Sequence, residues 1–229
     1  MKNKKPFFIY LIIVFILVSL ISIFTIDLYN KNKLNSEVKI LLKKDVSKDK
    51  FTTNTKTIFK YSKVEKAIKE YMKDYSDNIK KANAIINDDT IKKVLSSTNY
   101  ESDGPEFKTS LKLLEDNLKA FNDTIRKLLK MTDEKQIMKY IEKYNLSDKY
   151  VKLYKKYMFG KEYSKDIENN KNIINSINTT GLNVLNTNVS VLKLLKENPD
   201  GWVIKEGTIY FYSNDMMNQY NNLIQKLNQ

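Results

Sequence analysis

The side chains in this sequence that could carry catalysis or bind a metal are carboxylates. The chain contains no cysteine and no histidine, which excludes thiol nucleophiles, imidazole acid–base chemistry, disulfides and the usual zinc sites. Acidic residues gather at two places: Asp88 with Asp89, and Glu101, Asp103 and Glu106 beside Gly104. The second group offers the oxygen ligands that Ca²⁺ prefers, but it lacks the spacing of an EF-hand loop. Acidic loop residues more often cap helices, so we predict no catalytic, cofactor-binding or metal-binding residue.

Recognisable catalytic motifs are absent as well. The sequence has no glycine-rich phosphate loop and no G-x-S-x-G nucleophile elbow. It therefore predicts a protein that is not an enzyme.

Near the C-terminus the apolar residues change from a helical period to a period of two. This change predicts a β-hairpin around Glu206-Gly207. A two-residue turn pairs Ile204 with Ile209 and Trp202 with Phe211, and it places all four on one face. Glu206 must then adopt a positive φ, which suits Asn or Asp better. A three-residue loop is the alternative, and it would shift this register.

Two interpretations of the hairpin's aromatic residues stay open. Trp202 and Phe211 could close one end of a helical domain. Alternatively, Trp202, Tyr210, Phe211 and Tyr212 could form an exposed interaction surface, since Trp and Tyr are common anchors of protein interfaces.

The first predicted element of the chain is an apolar N-terminal segment. A basic tail, residues 1–5, precedes a run without charge from Pro6 to Ile26. At ~1.5 Å per residue, a helix over this run is about 31 Å long, which matches a bilayer core of roughly 30 Å. The run exceeds the apolar core of a cleavable signal peptide and contains no small-x-small cleavage site. It predicts a transmembrane signal-anchor, with the lipid bilayer as the partner of residues 6–26.

The orientation of this anchor is not decided by charge. Lysines lie on both sides of the run, at Lys2, Lys4 and Lys5 before it and at Lys31, Lys33 and Lys39 after it. Long domains after an anchor translocate largely regardless of charge. We therefore expect a single-pass protein of the cell membrane, with a cytoplasmic N-terminus and its C-terminal domain outside, at a bacterial envelope.

The remaining chain is predicted to be mainly α-helical. Proline and glycine are rare, at 3 and 5 residues, which favours long helices. Residues 27–55 are predicted as a stalk and linker, 56–197 as an antiparallel helical bundle, and 198–229 as the hairpin with a terminal helix.

Local patterns add detail to the bundle. Ser62-x-x-Glu65 is a capping-box pattern that starts a helix there or one turn earlier. Residues 96–104 are predicted as a loop, and Thr179-Thr-Gly181 as a break in the last long helix. Apolar residues from Phe107 to Leu128 alternate steps of four and three, which predicts a seam like that of a coiled coil.

The net charge of +13 comes almost entirely from lysine, since Arg126 is the only arginine among 40 basic residues. Nucleic acid is not expected as a partner, because its recognition relies on arginine. Lysines and acids are interspersed, and Glu65 with Lys69 is predicted as an i,i+4 pair on a solvated face. The excess charge is interpreted either as compositional bias or as attraction to anionic polymers.

These observations predict a non-enzymatic interaction or scaffold protein. It would bind a partner protein, or a second copy of itself, through the bundle or the hairpin. The alternative hypothesis is a ligand-binding or sensory module with a pocket between helices.

Overall fold

The computed structural model describes the backbone of residues 5–227, and the side chains of that range except those of residues 5–14, 17, 20 and 161–169. Within these residues the chain is mainly helical and has a two-stranded antiparallel hairpin followed by a terminal helix. The elements are α1 (Lys5–Leu42), α2 (Phe59–Ile86), α3 (Asp89–Lys93), α4 (Ser97–Asp103), α5 (Lys108–Met131), α6 (Glu134–Glu142), α7 (Asp148–Phe159), α8 (Lys161–Glu197), β1 (Trp202–Lys205), β2 (Thr208–Phe211) and α9 (Asn214–Lys226), with a 3-10 turn at Pro199–Gly201. The prediction of a mainly helical protein with a C-terminal hairpin is confirmed.

The N-terminal helix contradicts the predicted membrane anchor. In the part of the chain whose placement is described, no helix is long and apolar enough to cross a bilayer. The prediction of a single-pass protein of the cell membrane, with its C-terminal domain outside, is therefore wrong.

The physical reason is the character of α1 beyond its apolar start. The same helix then carries Asp27, Lys31 and Glu37, and it buries Leu34. The basic tail and the first part of the predicted anchor, residues 6–14, 17 and 20, have side chains outside the described residues.

Two compact units make up the chain. The first comprises Met1–Lys73 with Ile137–Tyr163, and the second comprises Asp74–Gln136 with Ser164–Gln229. Both α2 and α8 contribute residues to each unit, so the division follows contacts rather than consecutive blocks of sequence.

Unit 1 has an apolar core with tyrosines at its centre. Buried side chains come from α1, α2, α6 and α7 and include Leu34, Val38, Val64, Ile68, Tyr71, Ile137, Ile141 and Tyr154. The Tyr154 hydroxyl donates to the Ile137 carbonyl at 2.8 Å, which satisfies its polar end inside the core. The rings of Tyr71 and Tyr140 meet edge to face at 5.5 Å.

Unit 2 contains the predicted seam of α5. Of the apolar residues in this spacing, Phe107, Leu114, Phe121, Ile125 and Leu128 are buried, whereas Leu111 and Leu118 are half-buried at its edge. They share this core with buried residues of α8, among them Leu185 and Leu192.

The predicted break near Gly181 does not occur, and α8 runs through it. A Cβ at this position would overlap the ring of Phe121. The glycine therefore lets α8 approach α5 closely, and tertiary packing outweighs its low helix propensity.

Residues 96–104 are mostly helical rather than the predicted loop. Ser96 caps α4, since its hydroxyl accepts from the Asn99 amide at 3.2 Å. Tyr100 anchors the helix in the core, with its ring edge-on to Phe107 at 5.8 Å. A helix this short shows too few apolar positions for a period to be recognised.

The hairpin has the predicted two-residue turn and register. Trp202 pairs with Phe211 and Ile204 with Ile209. Glu206 has φ 53° and Gly207 has φ 72°, so both central residues adopt the positive φ that a type I′ turn requires.

Candidate functional site

The predicted interaction surface of Trp202, Tyr210, Phe211 and Tyr212 divides between the two faces of the hairpin. Trp202 belongs to the inner face. Its indole Nε1 donates to the Leu195 carbonyl at 2.9 Å, and its ring stacks on Phe107 with centroids 5.9 Å apart. Tyr100 meets the same indole edge-on at 6.0 Å. These contacts fix β1 to the core of unit 2.

Phe211 fixes β2 in a similar way. Its ring lies against Tyr220 of α9 at 5.0 Å. The Tyr220 hydroxyl in turn meets the Tyr100 hydroxyl at 3.1 Å. Burial, reinforced by Tyr220, raises the pKa of Tyr100, so the phenol stays neutral and holds α4 and α9 together.

Tyr210 and Tyr212 lie on the outer face. Alternation along β2 places Tyr210 opposite to Phe211, and Tyr212 directly follows the strand. The two tyrosines are 50% and 68% exposed. Both interpretations of the aromatic cluster therefore apply to different residues. Trp202 and Phe211 close the core, while the two tyrosines are left for solvent or a partner.

Several of the carboxylates considered for chemistry, Asp88, Asp103 and Glu106, have structural partners instead. Asp88 caps α3 by accepting from the Thr90 amide at 2.7 Å. Asp103 accepts from the backbone amides of Thr109 at 3.1 Å and Ser110 at 2.7 Å. Burial would raise the pKa of Asp103, but these hydrogen bonds outweigh it and hold the pKa below its ordinary value.

The acidic group beside Gly104 does not converge on one point. Glu106 pairs with Lys196 at 3.0 Å, away from the capping role of Asp103, and Glu101 is exposed. Among the residues that the structure describes, no three acidic side chains are placed to hold a metal ion.

An open cleft of about 640 Å³ lies in unit 2 between α3, α4 and the start of α5. Six hydroxyl side chains contribute to its wall, together with Asn99 and Lys93: Thr90, Ser96, Thr98, Ser102, Thr109 and Ser110. Some of these groups are engaged within the protein, since Ser110 donates to Asn99 at 3.1 Å. A hydroxyl that donates once can still accept, and Val94 and Leu113 add apolar surface, so the wall suits a small ligand with both polar and apolar parts.

A buried ion network in unit 1 was missed by the sequence reasoning. Glu65 and Lys69 are 0% and 5% exposed, so the prediction that they form a solvated surface pair is wrong. Lys69 donates to Glu65, to Glu37 at 3.1 Å and to the Asn54 carbonyl at 2.7 Å. Three segments of chain meet here, and spacing within α2 alone could not reveal the other two.

The start of α2 lies about one turn before Ser62, which agrees with the second alternative for the capping-box pattern. Glu65 explains why Ser62 itself does not mark the start. The helix begins at Phe59, and the Glu65 carboxylate accepts from the backbone amides of Lys56 at 3.0 Å and Thr57 at 2.8 Å. Glu65 thus holds the loop ahead of the helix. No buried side-chain polar atom lacks a partner within the described part of the chain, which indicates a structural network.

Comparisons of the chain with protein-family models, curated proteins and solved structures find no match. The function must therefore be inferred from the surfaces themselves.

Proposed function

We propose that the protein is a non-enzymatic interaction module that binds a partner protein through the outer face of its C-terminal hairpin. The observation that carries this proposal is the exposure of Tyr210 and Tyr212 on a hairpin whose inner face is anchored through Trp202 and Phe211.

Tyrosine side chains on a fixed support suit protein recognition. Each provides a large apolar ring and a hydroxyl, and it loses little rotamer entropy when it is immobilised. A two-stranded hairpin is marginal by itself in water, so the Trp202 and Phe211 contacts matter. They hold the outer face in place before a partner arrives, which lowers the cost of ordering it on binding.

The charge of the chain favours a different protein over a second copy. At +13, two copies repel each other, although Lys205 and Glu206 are both exposed in the hairpin and cancel each other there. Since complementary potentials speed association and suppress wrong partners, the expected partner carries a net negative charge and presents an apolar surface to the two tyrosines.

A matched pair of variants tests this proposal. Tyr210→Ala with Tyr212→Ala should lower recovery of the partner by about tenfold or more, because truncated hot spots each cost at least ~2 kcal/mol. Tyr29→Ala is the control, since Tyr29 is also an exposed tyrosine, at 63%, but lies in α1. Quantitative co-purification from the native cells measures the effect.

Equal recovery of the same proteins by both variants would contradict the proposal. If the only protein recovered through these tyrosines were a second copy of the chain, the hairpin would mediate self-association and not the binding of a different protein. The variants should unfold at the same temperature, because neither tyrosine belongs to the core.

The cleft in unit 2 supports a second candidate function, which is binding of a small polar ligand. Its volume of about 640 Å³ falls within the range of ~300–1,000 Å³ that is usual for ligand sites. In a thermal-shift screen with sugars and polar metabolites, a ligand of the cleft should raise the unfolding temperature of the wild type but not that of the double variant Thr98→Val, Thr109→Val.

The control is the double variant Thr52→Val, Thr55→Val, which changes two exposed threonines of unit 1 and should respond to the ligand as the wild type does. A flat screen would count against this function.

A further inference from the structure

Lysines of α7 share one helix face. Lys149, Lys152 and Lys156 follow each other at steps of three and four residues, and residues at this spacing are neighbours on a helix surface. Asp27 and Lys31 are related in the same way on α1. The two faces, with Tyr61 of α2, line one pocket of about 280 Å³ within unit 1.

Hydrogen bonds fix the floor of this pocket. Tyr61 is buried, and its hydroxyl donates to Asp27 Oδ1 at 2.9 Å. The Lys149 ammonium donates to both carboxylate oxygens of Asp27, at 2.8 and 3.0 Å. It also lies over the rings of Tyr61 and Tyr150, at 5.9 and 5.5 Å. Lys149 and Asp27 therefore largely neutralise each other.

The remaining charge of the pocket is uncompensated. Four ammonium groups and one carboxylate line it, which leaves a net charge of +3 (four minus one). Within the described part of the chain, Lys31, Lys152 and Lys156 form no ion pair, and Lys149 is the lysine that Asp27 binds. All three are exposed, and their like charges repel one another in the absence of an anion.

We infer that this pocket is a binding site for a compact, multiply charged phosphate anion, held by Lys31, Lys152 and Lys156 above the Tyr61–Asp27 floor. Ammonium groups bind phosphate oxygens as point charges with three donors each. The volume is too small for most extended ligands but sufficient for a small oxyanion. The site is independent of the hairpin and of the cleft in unit 2.

Titration with pyrophosphate tests the inference directly. We expect saturable binding at one site per chain, measured by calorimetry at low ionic strength. Lys152→Gln with Lys156→Gln should weaken the affinity by about tenfold or more, since losing ~1.4 kcal/mol is a tenfold change. The affinity should also fall as salt is added.

A charge-matched control separates a site from general attraction. Lys119→Gln with Lys127→Gln removes two exposed lysines from α5 in unit 2, and it should change the affinity by less than about twofold. All the positions are exposed, so urea unfolding should be the same for each variant. Equal losses in the two double variants, or binding that does not saturate, would overturn the inference.

Discussion

Lys69 places its ammonium group almost out of contact with solvent, between the carboxylates of Glu37 and Glu65. Removing a charge from water is costly, and hydrogen bonds from all sides must compensate. Here Glu65 gains donors from Lys69, Thr57 and the Lys56 backbone. At the scale of single residues, we therefore expect the stability of the protein to be most sensitive to changes in this network.

Glu65→Gln should destabilise the protein by about 3 kcal/mol or more, because it leaves the Lys69 charge without its nearest counter-charge in a buried site. Glu115→Gln, which changes an exposed glutamate of α5, should have an effect within about 0.5 kcal/mol. Urea unfolding at neutral pH measures both. Equal stabilities for the two variants would contradict a structural role for the network.

The same carboxylate gives the stability a pH dependence. Burial would raise the pKa of Glu65, but the hydrogen bonds from Lys69 and Thr57 outweigh it and hold the pKa below its ordinary value of 4.5. A group whose pKa is lowered on folding stabilises the protein above its unfolded pKa, and this contribution is lost as the pH falls through the folded pKa. As the pH is lowered from about 4.5, the urea concentration at the unfolding midpoint should therefore decrease more steeply for the wild type than for Glu65→Gln. If the midpoints of the two proteins decreased in parallel with pH, this role of Glu65 would be contradicted.

At the scale of elements, the hairpin turn has one residue suited to its backbone and one that is not. Gly207 adopts φ 72° without a Cβ, whereas Glu206 adopts φ 53° with one. Glu206→Asn should stabilise the protein by about 0.5 kcal/mol, because Asn tolerates this conformation better. Gly207→Ala should destabilise it by about 1 kcal/mol. Thermal unfolding measures both, and shifts of the same sign would contradict the turn type.

A substitution at Gly181 tests how closely α8 approaches α5. In a solvent-exposed helix, Gly→Ala stabilises by about 1 kcal/mol. Gly181→Ala should instead destabilise by about 1–3 kcal/mol, because the added Cβ overlaps the Phe121 ring. Asn186→Ala, at an exposed position of the same helix, should be neutral or slightly stabilising. If Gly181→Ala raised the unfolding temperature, the close approach would be wrong.

The sequence patterns predicted those elements whose structure depends on residues close together in the chain. The α5 seam and the hairpin register depend on apolar periodicity, which neighbouring residues supply. The continuity of α8 through Gly181, the burial of Lys69 and the pocket lined by Lys152 depend on partners far away in sequence. The spacing of Lys149, Lys152 and Lys156 was visible, but nothing local indicated that Asp27 and Lys31 face it.

At the scale of the whole molecule, two units carry different surfaces. Unit 1 has the lysine pocket, and unit 2 has the anchored hairpin with its outward tyrosines. The N-terminal run is the segment where composition misled the prediction. An uncharged stretch predicts a membrane span, but a charged and packed continuation changes the character of the helix.

Site-specific photo-crosslinking tests the proposed function most directly. A photo-reactive phenylalanine analogue would replace Tyr210, Tyr212 or Tyr29 in turn, in cells that natively produce the protein. We expect one discrete adduct, with the same partner protein, from positions 210 and 212 and not from position 29. No adduct at the hairpin, or the same adduct from all three positions, would contradict it.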